Sequence, residues 1–139
     1  MTRINIVPVE ELYDQHLIAE YREITMVPAS LARTLRSKKG LLLSSIPSRY
    51  TLNKGHVYFF YDKGKYLYKR YSEIIREMKA RGFSPDSRRS FPKKIFIDND
   101  LFNDWQPGMS DYRIIRSRIN AKINQKPGWY KMTPRKVLD

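Results

Sequence analysis

The sequence contains no cysteine in its 139 residues. Disulfide bonds, thiolate zinc sites and cysteine nucleophiles are therefore excluded. Its two histidines, His16 and His56, are 40 positions apart, which argues against a histidine-rich metal site. We expect a protein that uses neither a metal ion nor an organic cofactor.

The sequence also lacks any apolar run long enough to span a membrane, and it shows no internal repeat. Its first residues lack the continuous apolar stretch of a signal peptide. We therefore expect a cytoplasmic protein. The length suits one hydrophobic core, so we predict a single domain spanning residues 1–139.

Acidic residues are scarce relative to basic ones. The chain has 27 Lys and Arg against 14 Asp and Glu, which gives a net charge of +13. Such a surplus on a small protein indicates a polyanionic partner, usually nucleic acid. An anionic membrane is the rival partner, but no basic segment has an uninterrupted apolar face for lying on a bilayer. A DNA- or RNA-binding protein without enzymatic activity would carry the same charge.

Apolar residues recur at helical spacing in three segments, which predicts a compact all-α domain of three helices with long irregular loops. The first helix begins at Pro8, is kinked or broken at Pro28 and continues to Arg36. The second runs from an N-cap near Asp62 to Gly82, and the third covers about residues 110–125. We predict that the apolar run at residues 57–61 is extended and that residues 83–108 form a long irregular connection.

The N-terminus offers a candidate nucleophile. A small residue at position 2 favours removal of Met1, which would expose the α-amine of Thr2. At pH 7 roughly 10–15% of an α-amine is the free base, against well under ~0.1% of a lysine amine. The amine could therefore form imines without deep burial. Every protein has an N-terminus, so this feature alone does not establish catalysis.

Three ionisable residues share one stripe of the first predicted helix. His16, Glu20 and Glu23 are spaced by four and seven positions, so they lie along the same face. A carboxylate there could stabilise a sugar cation or transfer protons. The alternative is a solvated face with local ion pairs.

Basic and aromatic residues alternate in two segments, residues 66–71 and 129–131. Cations contact phosphates and aromatic rings stack on bases, so both segments are candidates for DNA contact. Arg118 and Lys122, four positions apart, form a basic column on the third helix. Most of these rings could instead be core residues, with Trp129 and Tyr130 the expected exceptions.

Several short motifs occur in register along nearly the whole chain, namely residues 2–5, 14–17, 19–23, 55–57, 59–63, 81–83 and 129–131. Together they resemble the phage endonuclease V family of pyrimidine-dimer glycosylases. The resemblance implies cleavage of the glycosyl bond at the 5′ pyrimidine of a cyclobutane dimer, followed by strand scission at the abasic sugar. It also implies extrusion of the nucleotide opposite the lesion.

Site residues follow from the same resemblance. Thr2 corresponds to the amine nucleophile and Glu23 to the essential carboxylate. The remaining matched positions contact damaged DNA: Arg3, His16, Arg22, Arg118, Lys122, Trp129, Tyr130 and Lys131. The family has an arginine where this chain has Met26.

The partner implied is double-stranded DNA that contains UV lesions or abasic sites. We expect a monomer without an obligate protein partner, associated with nucleoid or viral DNA.

Overall fold

The computed structural model describes residues 3–136, and the regular secondary structure in that range is helical. Its α-helices are α1 (Asp14–Glu23), α2 (Met26–Arg36), α3 (His56–Phe59), α4 (Gly64–Ala80), α5 (Lys94–Asp98) and α6 (Met109–Gln125). These described residues contain no β-strand, only an isolated bridge between Lys63 and Phe102. The all-α prediction is confirmed. The prediction of three helices is wrong, because the first divides and short helices form within two loops.

The helix predicted from Pro8 to Arg36 is interrupted twice. Val9–Glu11 forms only a 3₁₀ turn, and Tyr13 is extended before α1 begins. The second break separates α1 from α2 and precedes Pro28, which lies in the first turn of α2. Proline is tolerated there because the first amides of a helix have no intrahelical acceptor.

The apolar run at residues 57–61 was predicted to be extended, and this is wrong. Most of it belongs to α3 and the turn that follows. Three consecutive rings, Phe59, Phe60 and Tyr61, are all buried. A strand would direct neighbouring side chains to opposite faces, whereas a helical turn between core elements can bury all three.

The second and third predicted helices correspond to α4 and α6. α4 begins at Gly64, two residues after the predicted N-cap, and Gly82 follows its end with a φ of 95°, which favours glycine. α6 agrees with its predicted range within one residue at its start. Its apolar stripe packs inward through Ile115 and Ile119.

The core is built around α1 and α4, with an N-terminal segment threaded among the helices. This segment, residues 3–7, has no regular secondary structure, and Ile4 within it is fully buried. A buried ionic cluster joins α1 to the end of α4, since Arg81 donates to Asp14 and to Glu77, each at 2.9 Å. These contacts fix α1, and with it the face that carries the candidate site.

None of the helices in residues 3–136 combines the length and the apolar character needed to cross a membrane.

Candidate active site

A cavity of about 180 Å³ lies where the N-terminal segment, α1, α6 and the C-terminal tail (residues 126–136) meet. It brings together six of the predicted site residues: Arg3, His16, Glu23, Arg118, Lys122 and Tyr130. A larger open cavity of about 550 Å³, lined by Tyr66, Trp105 and Tyr112 among others, contains none of them. The smaller cavity is therefore the candidate active site.

The predicted stripe on α1 forms one wall of this cavity. His16, Glu20 and Glu23 all line it, as their spacing on a helix requires. Glu20, however, does not belong to a solvated face. It is 1% exposed and accepts two hydrogen bonds from Arg70, from Nε at 2.6 Å and from Nη2 at 3.0 Å. The local ion pairs considered from the sequence are thus replaced by one buried pair between α1 and α4.

Glu23 has the environment of a reactive carboxylate. It is half-buried at the end of α1, and no ion pair or hydrogen bond to a described residue is found for its side chain. Burial raises the pKa of Glu23, and the positive charges of Arg118 and Arg3 oppose that rise. A carboxylate held near such cations can stabilise a developing sugar cation and exchange a proton with it.

Three cations face the α1 stripe. Arg3 comes from the N-terminal segment, while Arg118 and Lys122 come from successive turns of α6. Burial, and then the charge of Arg118, lowers the pKa of Arg3. Each cation disfavours further positive charge, so the cavity is suited to a polyanion such as a DNA backbone.

His16 is held between this cationic wall and an aromatic ring. Its imidazole stacks on Tyr130 at a centroid distance of 4.7 Å and an interplanar angle of 18°. Burial lowers the pKa of His16, and Arg118 and Lys122 lower it further. The ring is therefore neutral at neutral pH and available for hydrogen bonding or stacking rather than for charge pairing.

Other predicted site residues lie outside the cavity wall. Arg22 is exposed on the neighbouring face of α1, and its carbonyl accepts a hydrogen bond from Arg89 at 3.0 Å. Trp129 is 51% exposed and contacts Tyr130 edge-on, and Lys131 is exposed beside it. Thr2 lies outside the described residues, next to Arg3.

The C-terminal tail is fastened to the start of α1, which places Tyr130 over the cavity. Asp14 N donates to the carbonyl of Lys131 at 2.7 Å, and Gln15 exchanges hydrogen bonds with Trp129 and Lys131. Thr133 donates to the Asp14 carboxylate through both its amide and its hydroxyl. Residues 14–17 and 129–131, noted separately in the sequence, are thus one structural unit.

Sequence reasoning missed several residues that shape the site. Asn5 and Ala19 line the cavity, Asp14 and Gln15 hold the tail, and Arg70 pairs with Glu20. Asn5, Ala19, Asp14 and Gln15 fall within motifs that carried the resemblance. Nothing in the local sequence identifies Arg70, because its partner is 50 positions away.

No group of three or more His, Asp or Glu side chains within residues 3–136 is arranged to hold a metal ion.

In a comparison with known protein families, residues 1–90 match the family described as pyrimidine dimer DNA glycosylase. The matched region contains the N-terminal segment and all of α1 to α4, and therefore Glu23, Glu20 and His16. The other cavity wall, from Arg118 to Tyr130, lies beyond it. The match covers well over half of the chain and agrees with a cationic cavity built around a carboxylate, so the chain belongs to the pyrimidine dimer DNA glycosylase family.

Proposed function

We propose that this DNA glycosylase cleaves the glycosyl bond of the 5′ pyrimidine in a UV-induced cyclobutane dimer and then nicks the abasic site as an AP lyase. The α-amine of Thr2, freed by removal of Met1, is the nucleophile, and Glu23 is the essential carboxylate. The observation that carries the proposal is the position of Arg3. It lines the same cavity as Glu23, and Thr2 is its immediate neighbour in the sequence.

The proposed chemistry uses one amine for both steps. The Thr2 amine attacks the anomeric sugar carbon and the glycosyl bond breaks. The 5′ base takes the bonding electrons and a proton, and it stays joined to its 3′ neighbour through the cyclobutane ring. Loss of the amine proton and opening of the sugar leave an imine. The imine acidifies the neighbouring sugar C–H, whose proton is removed as the 3′ phosphate departs by β-elimination. Glu23 stabilises the cationic sugar first and then assists the proton transfers. Neither a metal ion nor an organic cofactor enters these steps.

The cationic wall supports the DNA-binding half of the proposal. Arg3, Arg118 and Lys122 bind phosphates beside the lesion, and Tyr130 with His16 offers a stacking surface. Reaching the sugar requires a kinked duplex with an extruded nucleotide, which costs a few kcal/mol. A dimer already weakens stacking and pairing, so damaged sites open at a lower cost. We propose that the enzyme works as a monomer on double-stranded nucleoid or viral DNA that contains UV lesions or abasic sites.

Borohydride trapping tests the nucleophile. Incubation with abasic or UV-irradiated duplex in the presence of borohydride is expected to reduce the imine to a stable protein–DNA adduct, and N-terminal peptide mapping is expected to assign it to Thr2. An adduct at an internal lysine, or cleavage of DNA without any adduct, would rule out the amine mechanism. Binding without cleavage or adduct would favour the non-enzymatic DNA-binding alternative.

Replacement of Glu23 by Gln tests the carboxylate. Glu23→Gln keeps the shape and removes the charge, so we expect near-normal DNA binding and a loss of cleavage of about 100-fold or more, measured in single-turnover assays. Glu20→Gln is not a suitable control, because Glu20 is paired with Arg70 in the core. Glu73→Gln is suitable, because Glu73 is exposed on α4 and does not line the candidate site. Equal activity of the two variants would show that Glu23 is only a surface carboxylate.

A further inference from the structure

The N-terminal segment is buried without any strand to pair with. Residues 4–7 are each less than 5% exposed, and no strand is found in the described residues to satisfy their main-chain groups. Buried amides and carbonyls require hydrogen-bond partners. Here four side chains from α1, α3, α4 and the loop before α3 supply them, and we call these side chains the cradle: Glu20, Tyr50, His56 and Arg70.

Two cradle residues hold Ile4. His56 Nε2 accepts a hydrogen bond from the Ile4 amide at 2.8 Å, and the Tyr50 hydroxyl donates to the Ile4 carbonyl at 2.9 Å. His56 Nδ1 lies 2.8 Å from the carbonyl of Thr51, so Nδ1 carries the proton and Nε2 is free to accept. His56 and Tyr50 are 1% and 3% exposed and are therefore remote from bulk water.

The other two cradle residues bracket a strained turn. Ile6 has a φ of 48°, a value that β-branched residues rarely adopt, and the amide of Val7 donates back to the carbonyl of Asn5. Such a conformation persists only where the surroundings impose it. Glu20 accepts from the Asn5 amide at 3.0 Å before the turn, and Arg70 donates to the Val7 carbonyl after it. Because Glu20 and Arg70 also pair with each other, the turn is held between the two halves of one buried ion pair.

We propose that Glu20, Tyr50, His56 and Arg70 are positioning residues that set the place of the N-terminal amine relative to Glu23. This inference rests on the proposed role of the Thr2 amine. Ile4 is two residues from Thr2. The position and direction of the main chain at Ile4, which the cradle fixes, therefore limit where the Thr2 amine can be placed. An error of about 1 Å in the placement of a reacting group can cost on the order of 100-fold in rate. Chain termini without such contacts are usually poorly ordered. The cradle holds residues 4–7 in one position and thereby restricts where the proposed nucleophile can lie.

The test compares Tyr50→Phe with Tyr61→Phe. Both tyrosines are buried and both changes remove one hydroxyl, but the Tyr61 hydroxyl bonds Ser30 and Thr34 of α2 and not the N-terminal segment. We expect Tyr50→Phe to slow single-turnover imine trapping on saturating abasic duplex by about 10-fold, with the DNA dissociation constant changed less than about 3-fold. Tyr61→Phe is expected to lower the melting temperature comparably and to keep the trapping rate within about 2-fold.

A second readout separates positioning from loss of the amine or of the fold. Reaction of the N-terminal amine with a small free aldehyde needs no alignment with Glu23, so its rate is expected to be equal in wild type and Tyr50→Phe. The proposal would be overturned if Tyr50→Phe trapped DNA at the wild-type rate. It would also be overturned if Tyr50→Phe and Tyr61→Phe slowed trapping equally. An adduct that maps away from Thr2 in the wild type would instead overturn the proposed function.

If Tyr50→Phe fails to fold, His56→Gln and His56→Leu carry the same test. The glutamine side-chain oxygen can accept the hydrogen bond from the Ile4 amide, whereas leucine cannot. We expect His56→Gln to form the trapped adduct several-fold faster than His56→Leu, and equal rates would overturn the proposal.

Discussion

At the scale of single residues, the buried charged side chains within residues 3–136 are paired with one another. Glu20 with Arg70, and Arg81 with Asp14 and Glu77, each form ion pairs within the core. Removing one member of such a pair leaves an uncompensated charge and typically costs about 3–5 kcal/mol. Substitutions at these residues are therefore poor probes of catalysis, because they lower the stability of the protein whether or not the residue takes part in the reaction.

His56 gives the stability of the protein a defined pH dependence. Burial lowers the pKa of His56 from 6.5 to about 4, with Arg3 and Arg118 lowering it and Glu20 and the Thr51 carbonyl raising it. In the unfolded chain His56 is protonated below about pH 6.5, whereas the buried ring stays neutral down to about pH 4. The free energy of unfolding therefore falls as the pH falls from about 6.5 to 4. The contribution of this group is on the order of 3 kcal/mol.

Urea unfolding at several pH values measures this effect. His56→Gln cannot titrate, so its free energy of unfolding is expected to be lower than that of the wild type at pH 7 and to fall less steeply between pH 6.5 and 4. The difference between the two curves isolates His56 from the carboxylates that titrate in the same range. Parallel curves would show that His56 is not buried as the neutral ring.

The sequence predicted that Glu20 and Glu23 share one face of α1, but it could not predict the buried ion pair of Glu20. Both lie on the same helical stripe, which follows from spacing alone. What distinguishes them is Arg70, which is far away in sequence and reaches Glu20 only after α1 and α4 have packed. The cavity residues from α6 were predicted through their four-residue spacing and the resemblance, whereas their position opposite α1 depends on tertiary packing.

At the scale of elements, the accuracy of the predictions follows the length of each periodic pattern. α6 repeats its apolar residues over several turns and ends before Pro127, so its bounds were predicted closely. The signals at Pro8, a proline followed by Glu10 and Glu11, are typical of a helix start, but they produced only a 3₁₀ turn. The break before α2 was predicted at Pro28 and lies three residues earlier, at residues 24–25. The short run that became α3 is equally compatible with a strand or a helical turn.

The start of α4 depends on the absence of a side chain. A Cβ at Gly64 would lie 2.3 Å from Cγ and 2.5 Å from Cβ of Phe96, the buried anchor of α5. Gly64→Ala is therefore expected to lower the free energy of unfolding by about 1–3 kcal/mol through overpacking, as measured by urea denaturation. The clash involves atoms near the main chain of α5, which cannot rotate away.

Gly40→Ala serves as the comparison. Gly40 has a φ of 62° but no neighbouring atom within 4 Å of a Cβ, so this change tests backbone strain without overpacking. We expect it to cost about 1 kcal/mol. A larger loss at Gly40 than at Gly64 would contradict the close approach of α5 to α4.

At the scale of the whole molecule, the surplus of positive charge governs association with DNA. The net charge is +13, and the cavity gathers three cations on one side. If about 5 phosphates are neutralised, the logarithm of the affinity is expected to fall with the logarithm of salt concentration at a slope of about −4 to −5. Fluorescence anisotropy with dimer-containing duplex at several salt concentrations measures this slope.

Single replacements on α6 locate the DNA. If each side chain contacts one phosphate as proposed, Arg118→Ala and Lys122→Ala are each expected to reduce the slope by roughly one unit. Arg113→Ala removes the same charge from an exposed face of α6 that does not line the candidate site, and it is expected to change the slope less. An unchanged slope for Arg118→Ala and Lys122→Ala would place the DNA on another face.

The two walls of the candidate active-site cavity come from distant parts of the sequence. Residues 3–23 supply Arg3 and Glu23, whereas α6 and the C-terminal tail supply Arg118, Lys122 and Tyr130. Synthesis on the ribosome proceeds from the N-terminus, so α1 to α4 emerge well before the opposite wall exists. A nascent chain that already contains Arg3 and Glu23 still lacks Arg118, Lys122 and Tyr130. The cavity is therefore complete only after α6 and the C-terminal tail have been synthesised and have packed against α1.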